Sequence, residues 1–207
     1  VIQDNMNACG GSPLYAGVGG AITNEEGQNV QNVHVNLNDP LSQSAMTDAS
    51  GNFGFAAVQL GGDYTVSPEK DSNLLNGVTT FDKVLIKKHI LGDLLLVSPY
   101  KIIAADVNRS NSVTTFDLVE MQKAVLHITD AFANNHSWRF VDAGYVFPDA
   151  TNPFVEVFPE VYNINDFNGN MDAVDFVAIK VGDVNGSAAP NDFDVTSDER
   201  SGQTLKL

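Results

Sequence analysis

The chain has 207 residues, 43% of them apolar, and a formal net charge of −15 from 11 basic and 26 acidic side chains. That length holds one large or two small domains, and the charge argues against nucleic acid and anionic membranes, which bind through basic groups. A single cysteine, Cys9, excludes an internal disulfide and any zinc site needing two thiolates; the four histidines form no HExxH, no G-x-S-x-G or phosphate-binding glycine loop occurs, and no apolar run reaches the roughly 18 residues that span a bilayer.

Residues 1–13 read as an N-terminal strand or linker. "VIQDNMNAC" resembles the last strand of a preceding domain, and without an initiator Met or a signal-peptide pattern the chain reads as a processed piece of something longer. Residues 14–70 read as an all-β sandwich. "VQNVHVNLN" alternates through Val30, Val33, Val35 and Leu37, and Asp48, Ser50 and Gly51 mark a turn before Phe53 and Phe55. Short strands with frequent turns predict a small antiparallel sandwich.

The period then changes to 3.6. "VTTFDKVLIKKHIL" at 78–91 and "VTTFDLVEMQKAVL" at 113–126 match at eight of fourteen positions, 35 residues apart, so residues 71–128 hold an internal repeat. Phe81 and Phe116 open the two predicted helices beside Val and Leu residues, which predicts that both are buried anchors.

Each "VTTFD" closes a twelve-residue loop. In the second, oxygen-bearing side chains fall at positions 1, 3, 5, 9 and 12: Asp106, Asn108, Ser110, Thr114 and Asp117, with the Ser112 carbonyl at 7. The first offers Asp71, Asn73, the Gly77 carbonyl, Thr79 and Asp82, while Leu75 at position 5 lacks a side-chain oxygen and leaves its place to backbone or water. Calcium takes six to eight oxygens in such a loop, with a carboxylate at the twelfth place. A helix cap explains one residue per helix; it does not explain matching oxygens at 1, 3 and 12 in both copies. Two calcium ions are therefore expected, the tighter at 106–117. Asn76 and Asn111, at position 6, are expected to take positive φ, and Val78 and Val113 to pair across the two loops.

Residues 129–194 read as a mostly irregular or β extension packed on the calcium module. "RFVDAGYVF" and "FVEVF" suggest one or two short strands, Trp138 reads as packing, and 172–182 fits helix or strand equally. "DVNGS" at 183–187 repeats "DVNRS" at 106–110 with one change. It begins a partial third loop with Asp183, Asn185, Ser187 and Asp194, although Pro190 and the missing exit helix argue for an acidic turn. Residues 195–207 read as a C-terminal strand or linker. Unpaired terminal strands invite pairing with another copy, and Cys9 suits an intermolecular disulfide at such a joint; the equal alternative is that both ends are proteolytic stubs lying on the surface.

The paired loops, each followed by one helix and with no entering helix, resemble the duplicated F-hand repeats of type I dockerins over about 71–128. "TDASGNFGFAAVQLGGDYTVSPEKD" resembles a Cna-B or carboxypeptidase-regulatory-like, transthyretin-like sandwich. The order of sandwich, "NGVTTFD", "YKIIAADVNRSNSVTTFD", "NNHSWRFVDAGYVFPD" and "FVAIKVGDVNGSA" is similar to modules of large secreted bacterial surface proteins, many exported by the type IX route. The resemblance implies a mixed fold, an all-β sandwich followed by an α-rich dockerin-like calcium module. It also implies an extracellular or cell-surface location and Ca2+ as the bound ion. Where dockerins carry Ser/Thr pairs that contact cohesin, this chain has Thr80-Phe81 and Thr115-Phe116, a departure from ordinary cohesin recognition. The expected function is a non-catalytic, calcium-stabilised structural module that self-assembles head to tail into a filament through its terminal strands; the alternative is a binding module for a cohesin-like domain. An enzyme is the weakest reading, since nothing singles out Asp142, Asp149 or Glu156 as an acid/base pair.

Overall fold

The computed structural model describes residues 14–38 and 42–191. Five strands come first: β1 (Tyr15–Asn24), β2 (His34–Asn38), β3 (Gln43–Met46), β4 (Asn52–Gln59) and β5 (Tyr64–Glu69). Alternation decides which face each buries: Val35 and Leu37 on β2, Phe53, Phe55 and Val58 on β4. The turn before β4 forms because the Asp48 carboxylate accepts the amides of Ser50 and Asn52, and Gly51 takes a φ of 75°.

Three later strands complete the architecture: β6 (Trp138–Asp142), β7 (Tyr162–Ile164) and β8 (Phe176–Lys180). One sheet runs β4-β1-β8-β6 and the other β3-β2-β5-β7. The sandwich is therefore not confined to residues 14–70. The stretch 129–191, expected as an extension on the calcium module, supplies strands to both sheets. The physical reason is edge pairing: β1 and β5 each keep an open edge until the chain returns. Within 172–182 the strand reading holds, "RFVDAGYVF" contributes only β6, and "FVEVF" forms no strand. β8 lies parallel to β1, with Ile22 opposite Phe176, and antiparallel to β6. The segment leading into β8 passes so close to β1 that a Cβ at Gly20 would stand 2.0 Å from the Val174 carbonyl oxygen; only glycine fits there.

A parallel pair needs a long crossover, and here the crossover carries helices α1 (Thr80–Leu91), α2 (Pro99–Ala105) and α3 (Thr115–Val125). The protein is mainly β. In place of an α-rich unit there are three short helices whose core is closed by strands. α1 and α3 each start with a capping box, Thr79 with Asp82 and Thr114 with Asp117. α1 stops at Gly92 in the left-handed conformation. α2 starts at Ser98 with Pro99 in its first turn, a start signal that the period analysis overlooked.

Two cores share a wall. Trp138 and Phe140 of β6 and Phe176 and Ala178 of β8 face the sandwich core with Ile22, Leu37, Phe55 and Val66. Their alternate neighbours Val141 and Ile179 face a second core with Ile86, Ile103, Met121, Phe132 and Phe158. Both strands are apolar on two faces for that reason. Trp138 is packing, as expected.

Phe81 and Phe116 are not. They are 58% and 71% exposed, which overturns their reading as core anchors. The buried stripe of α1 holds Asp82 and Ile86, and that of α3 holds Asp117, Met121 and Ala124. Each Phe precedes its aspartate by one residue and is rotated about 100° away from that stripe. We expect Phe176→Ala to lower unfolding stability by about 3–5 kcal/mol. Phe81→Ala and Phe116→Ala should each stay within about 0.5 kcal/mol of the parent. Urea titration checks both; a large loss at Phe116 contradicts this placement.

Candidate metal centres

The loop 106–117 closes on itself. Asp106 is fully buried; its Oδ1 accepts the Ser110 amide at 2.8 Å and its Oδ2 the Asn111 amide at 2.9 Å. Ser110 Oγ donates to the Ser112 carbonyl at 3.2 Å. Asp117, also fully buried, accepts the Thr114 amide at Oδ2 and reaches across the loop with Oδ1 to the Asn108 amide. Arg109 and Asn111 take φ of 57° and 59°, so position 6 behaves as predicted here. Asn135 clamps the loop from outside by donating to the Asp106 and Val107 carbonyls. Burial pushes the Asp106 carboxyl above its ordinary range against the pull of those two amides, with the neighbouring Asp117 adding to the rise and Arg139 opposing it.

The loop 71–82 is not brought together in the same way. Asp71 accepts the Ser137 amide at 2.8 Å and faces His136 Nδ1 at 3.3 Å. Partial burial pushes its carboxyl up, but the Ser137 and His136 contacts prevail and hold it below its ordinary value. Leu75 packs against the second core. Asn73 and Gly77, not Asn76, carry the positive φ values, so the expectation for position 6 fails in this copy. Asn76 instead exchanges two side-chain hydrogen bonds with Ala189, at 2.7 and 3.0 Å. No β-bridge joins Val78 to Val113 among the described residues; Val78 packs where a Cβ on Gly182 would meet it.

What faces the second half of that loop is the segment from Asp183. Asp183 Oδ1 accepts the Ser187 amide at 3.2 Å and its Oδ2 the Ala188 amide at 2.7 Å, the fifth and sixth positions, as in the loop at Asp106. Ser187 Oγ donates to the Gly77 carbonyl at 3.1 Å. Asp82 is fully buried; its Oδ2 accepts the Thr79 amide at 2.9 Å, and its Oδ1 crosses to the Val184 amide at 3.1 Å. Gly186 takes a φ of 74° at the fourth position, as Arg109 does. Residues 183–187 and 77–82 repeat most of the pattern of 106–117 with the chain cut between positions 5 and 7, with one shift: Asp82 reaches the amide at position 2 where Asp117 reaches the amide at position 3. Asp183, Asn185, Ser187, the Gly77 carbonyl, Thr79 and Asp82 thus correspond to Asp106, Asn108, Ser110, the Ser112 carbonyl, Thr114 and Asp117. Asp194 lies outside the described residues, as do Cys9 and the terminal segments expected to be strands. The separation of about a hundred residues hid this arrangement from any contiguous reading. The signal was present, since "DVNGS" supplies the oxygen at position 5 that Leu75 lacks.

Burial also pushes the Asp183 carboxyl up, with Asp82 adding to the rise. Among the described residues no three His, Cys, Asp or Glu side chains converge; each cluster instead offers two carboxylates with amide, hydroxyl and carbonyl oxygens. That donor set suits a hard cation and not zinc. One buried cation stands beside each cluster. Arg139 is held by Glu160 through Nε at 2.8 Å, and Arg109 binds the other oxygen of the same carboxylate at 2.7 Å. Lys180 donates to the Leu74 and Ser137 carbonyls at 3.0 and 3.2 Å and lies over the Trp138 ring.

Burial pushes the Lys180 ammonium down to about 7, with Lys70 adding to the fall and Asp183 and Asp71 opposing it. Its folded value lies below the unfolded 10.5, so between those values the unfolded chain holds the extra proton and stability rises with pH. We expect Lys180→Met to flatten the rise in urea midpoint between about pH 7 and 10 at fixed calcium; an unchanged slope contradicts the placement.

No protein-family model matches the chain, and no curated protein matches it. Among solved structures it is similar to the pilus adhesin RrgA from Streptococcus pneumoniae, at 20% identity and a TM-score of 0.26, over 32% of this chain and 8% of that one. It is also similar to PA1324 from Pseudomonas aeruginosa, a proposed carbohydrate binding protein, at 19% identity and a TM-score of 0.23, over 29% of this chain and 67% of that one. Both likenesses cover about a third of the chain, and neither carries a functional argument.

Proposed function

We propose that this chain is a non-catalytic structural module of an extracellular bacterial surface protein, stabilised by two calcium ions. One ion is assigned to Asp106, Asn108, Ser110, the Ser112 carbonyl and Asp117. The other is assigned to a composite site of Asp183, Asn185, Ser187, the Gly77 carbonyl and Asp82. Asp71, Asn73 and Leu75 fall outside it. The observation that carries the reading is the burial of like-charged pairs: Asp106 with Asp117, and Asp82 with Asp183, all under 8% exposed. Amides and one nearby cation offset part of that cost; a divalent ion removes the rest. Dissociation constants of about 10⁻⁴–10⁻³ M suit extracellular modules of this kind.

A second reading, docking of a cohesin-like partner, is favoured by the exposure of Phe81 and Phe116 at the helix starts. It places recognition at the residues where this chain departs from the dockerin pattern.

Calorimetry with metal analysis tests the calcium assignment. The parent chain should bind two ions. Asp117→Ala should lose one; Asp82→Ala and Asp183→Ala should each lose the other, with the double variant losing no more. Asp71→Ala should keep both. Binding to the folded state alone stabilises by RT ln(1 + [L]/Kd), about 1.4 kcal/mol per site at a tenfold excess over Kd, so chelator should lower Tm. Loss of an ion at Asp71 with none lost at Asp183 restores the contiguous loop 71–82, and absence of calcium binding in the parent chain defeats the reading.

A further inference from the structure

The faces of α1 and α3 turned from the core enclose an apolar groove of about 600 Å³. Val84, Val119 and Ile128 line it, 48%, 50% and 66% exposed. Lys83, Lys87 and Lys123 line it with Thr80, Leu118 and Gln122; no carboxylate lines it, and among the described residues Lys123 alone of the three is paired with an acid, Glu120 at 2.7 Å. In a chain of net charge −15 this is a local reversal of sign. An exposed apolar surface rimmed by polar groups marks an interaction site.

A surface of the opposite character lies elsewhere on the same chain. Between β6 and β7, Tyr145, Phe147, Phe154 and Phe158 pack edge to face or tilted with one another and with Tyr100, at centroid distances of 5.1 to 6.5 Å. These rings fix an irregular loop against the second core. The residues between them point outward: Val146, Val155 and Val157 are 84%, 57% and 97% exposed, and Asp149 and Glu156 are exposed beside them. The valines contribute little to the fold, and the loop is apolar with acidic flanks where the groove is apolar with basic flanks.

The geometry points to a head-to-tail contact in which the valine loop 146–157 of one copy seats in the α1–α3 groove of the next. The proposal rests on the structural-module reading but not on its calcium sites. The two surfaces share no residue, so the contact is heterologous. Such a contact does not close unless its rotation happens to form a ring, and otherwise it extends as a filament. Opposite charges at the rim set the encounter rate and its salt dependence.

Sedimentation velocity on the full chain, with calcium and with chelator, tests the contact between about 10 μM and 1 mM, a range that a groove smaller than a standard interface calls for. The parent should associate with rising concentration and dissociate at high salt. Lys87→Glu and Glu156→Lys, both at exposed positions, should each reduce association at least tenfold, and an equimolar mixture of the two should restore it. A parent that stays monomeric at 1 mM and low salt overturns the proposal. So does association that persists in both variants, that is lost only on deleting residues 192–207, or that responds to one charge reversal and not the other. Calcium binding unchanged in both variants leaves the module reading standing whichever way the contact falls.

Discussion

Four aspartates lie almost wholly out of water, in two pairs of like charge, and much of the helical half is arranged to make that tolerable. An unpaired carboxylate in an apolar interior costs several kcal/mol after relaxation. Asp82 and Asp117 therefore sit at helix starts, where backbone amides point at them and the helix dipole favours negative charge. Asp106 and Asp183 each collect amides from the five residues that follow. Arg139 and Lys180 add one positive charge per pair, and Lys180 is itself driven down to about 7 by its burial. Two negative charges facing one positive charge leave each cluster short of cation. That deficit is a stronger pointer to a divalent ion than the loop spacing alone.

The position of β8 makes this local electrostatics a property of the whole fold. Its residues lie between β1 and β6 in one sheet, with one face in the sandwich core and the other in the helical core. Three residues beyond its end comes Asp183, which meets the start of α1. Occupying the composite cluster therefore ties the N-terminal half of the chain to its C-terminal segment through both hydrogen bonds and charge. Sandwich and helices should unfold together, because β6 and β8 cannot leave one core without opening the other.

The sequence disclosed whatever was local and repeated. The two "VTTFD" helix starts, the loop at 106–117 and the strands β2, β4 and β5 all show in residues within a dozen positions of one another, and period and spacing report such features directly. What was not legible depends on long-range return. Residues 129–191 looked like an extension because β6, β7 and β8 are only three to five residues long and have no neighbour in sequence to pair with. The loop 71–82 was read as contiguous because a contiguous window always offers some first half, whereas the structure sets residues 183–187 against its second half. Asp71 matched the first position by type, yet its carboxylate is engaged by Ser137 and His136. The missing oxygen at Leu75 was the feature of the sequence that set this copy apart from the loop at 106–117.

The exposed phenylalanines follow from the same constraint that buries the aspartates. A capping box requires the carboxylate at the third helical position, and a loop that closes on that carboxylate requires it to face inward. Successive residues on a helix turn by about 100°, and in α1 and α3 that step carries the residue before the inward third position out of the narrow buried stripe. Phe81 and Phe116 are thus directed outward by Asp82 and Asp117 whatever their hydrophobicity favours, and Val84 and Val119, three positions further along, share that outward side. A helix pair tied to two buried carboxylate clusters therefore turns these positions to solvent as a geometric consequence. Retaining Phe and Val there, where Ser or Lys would satisfy the fold equally well, is the feature that packing within a single chain does not account for.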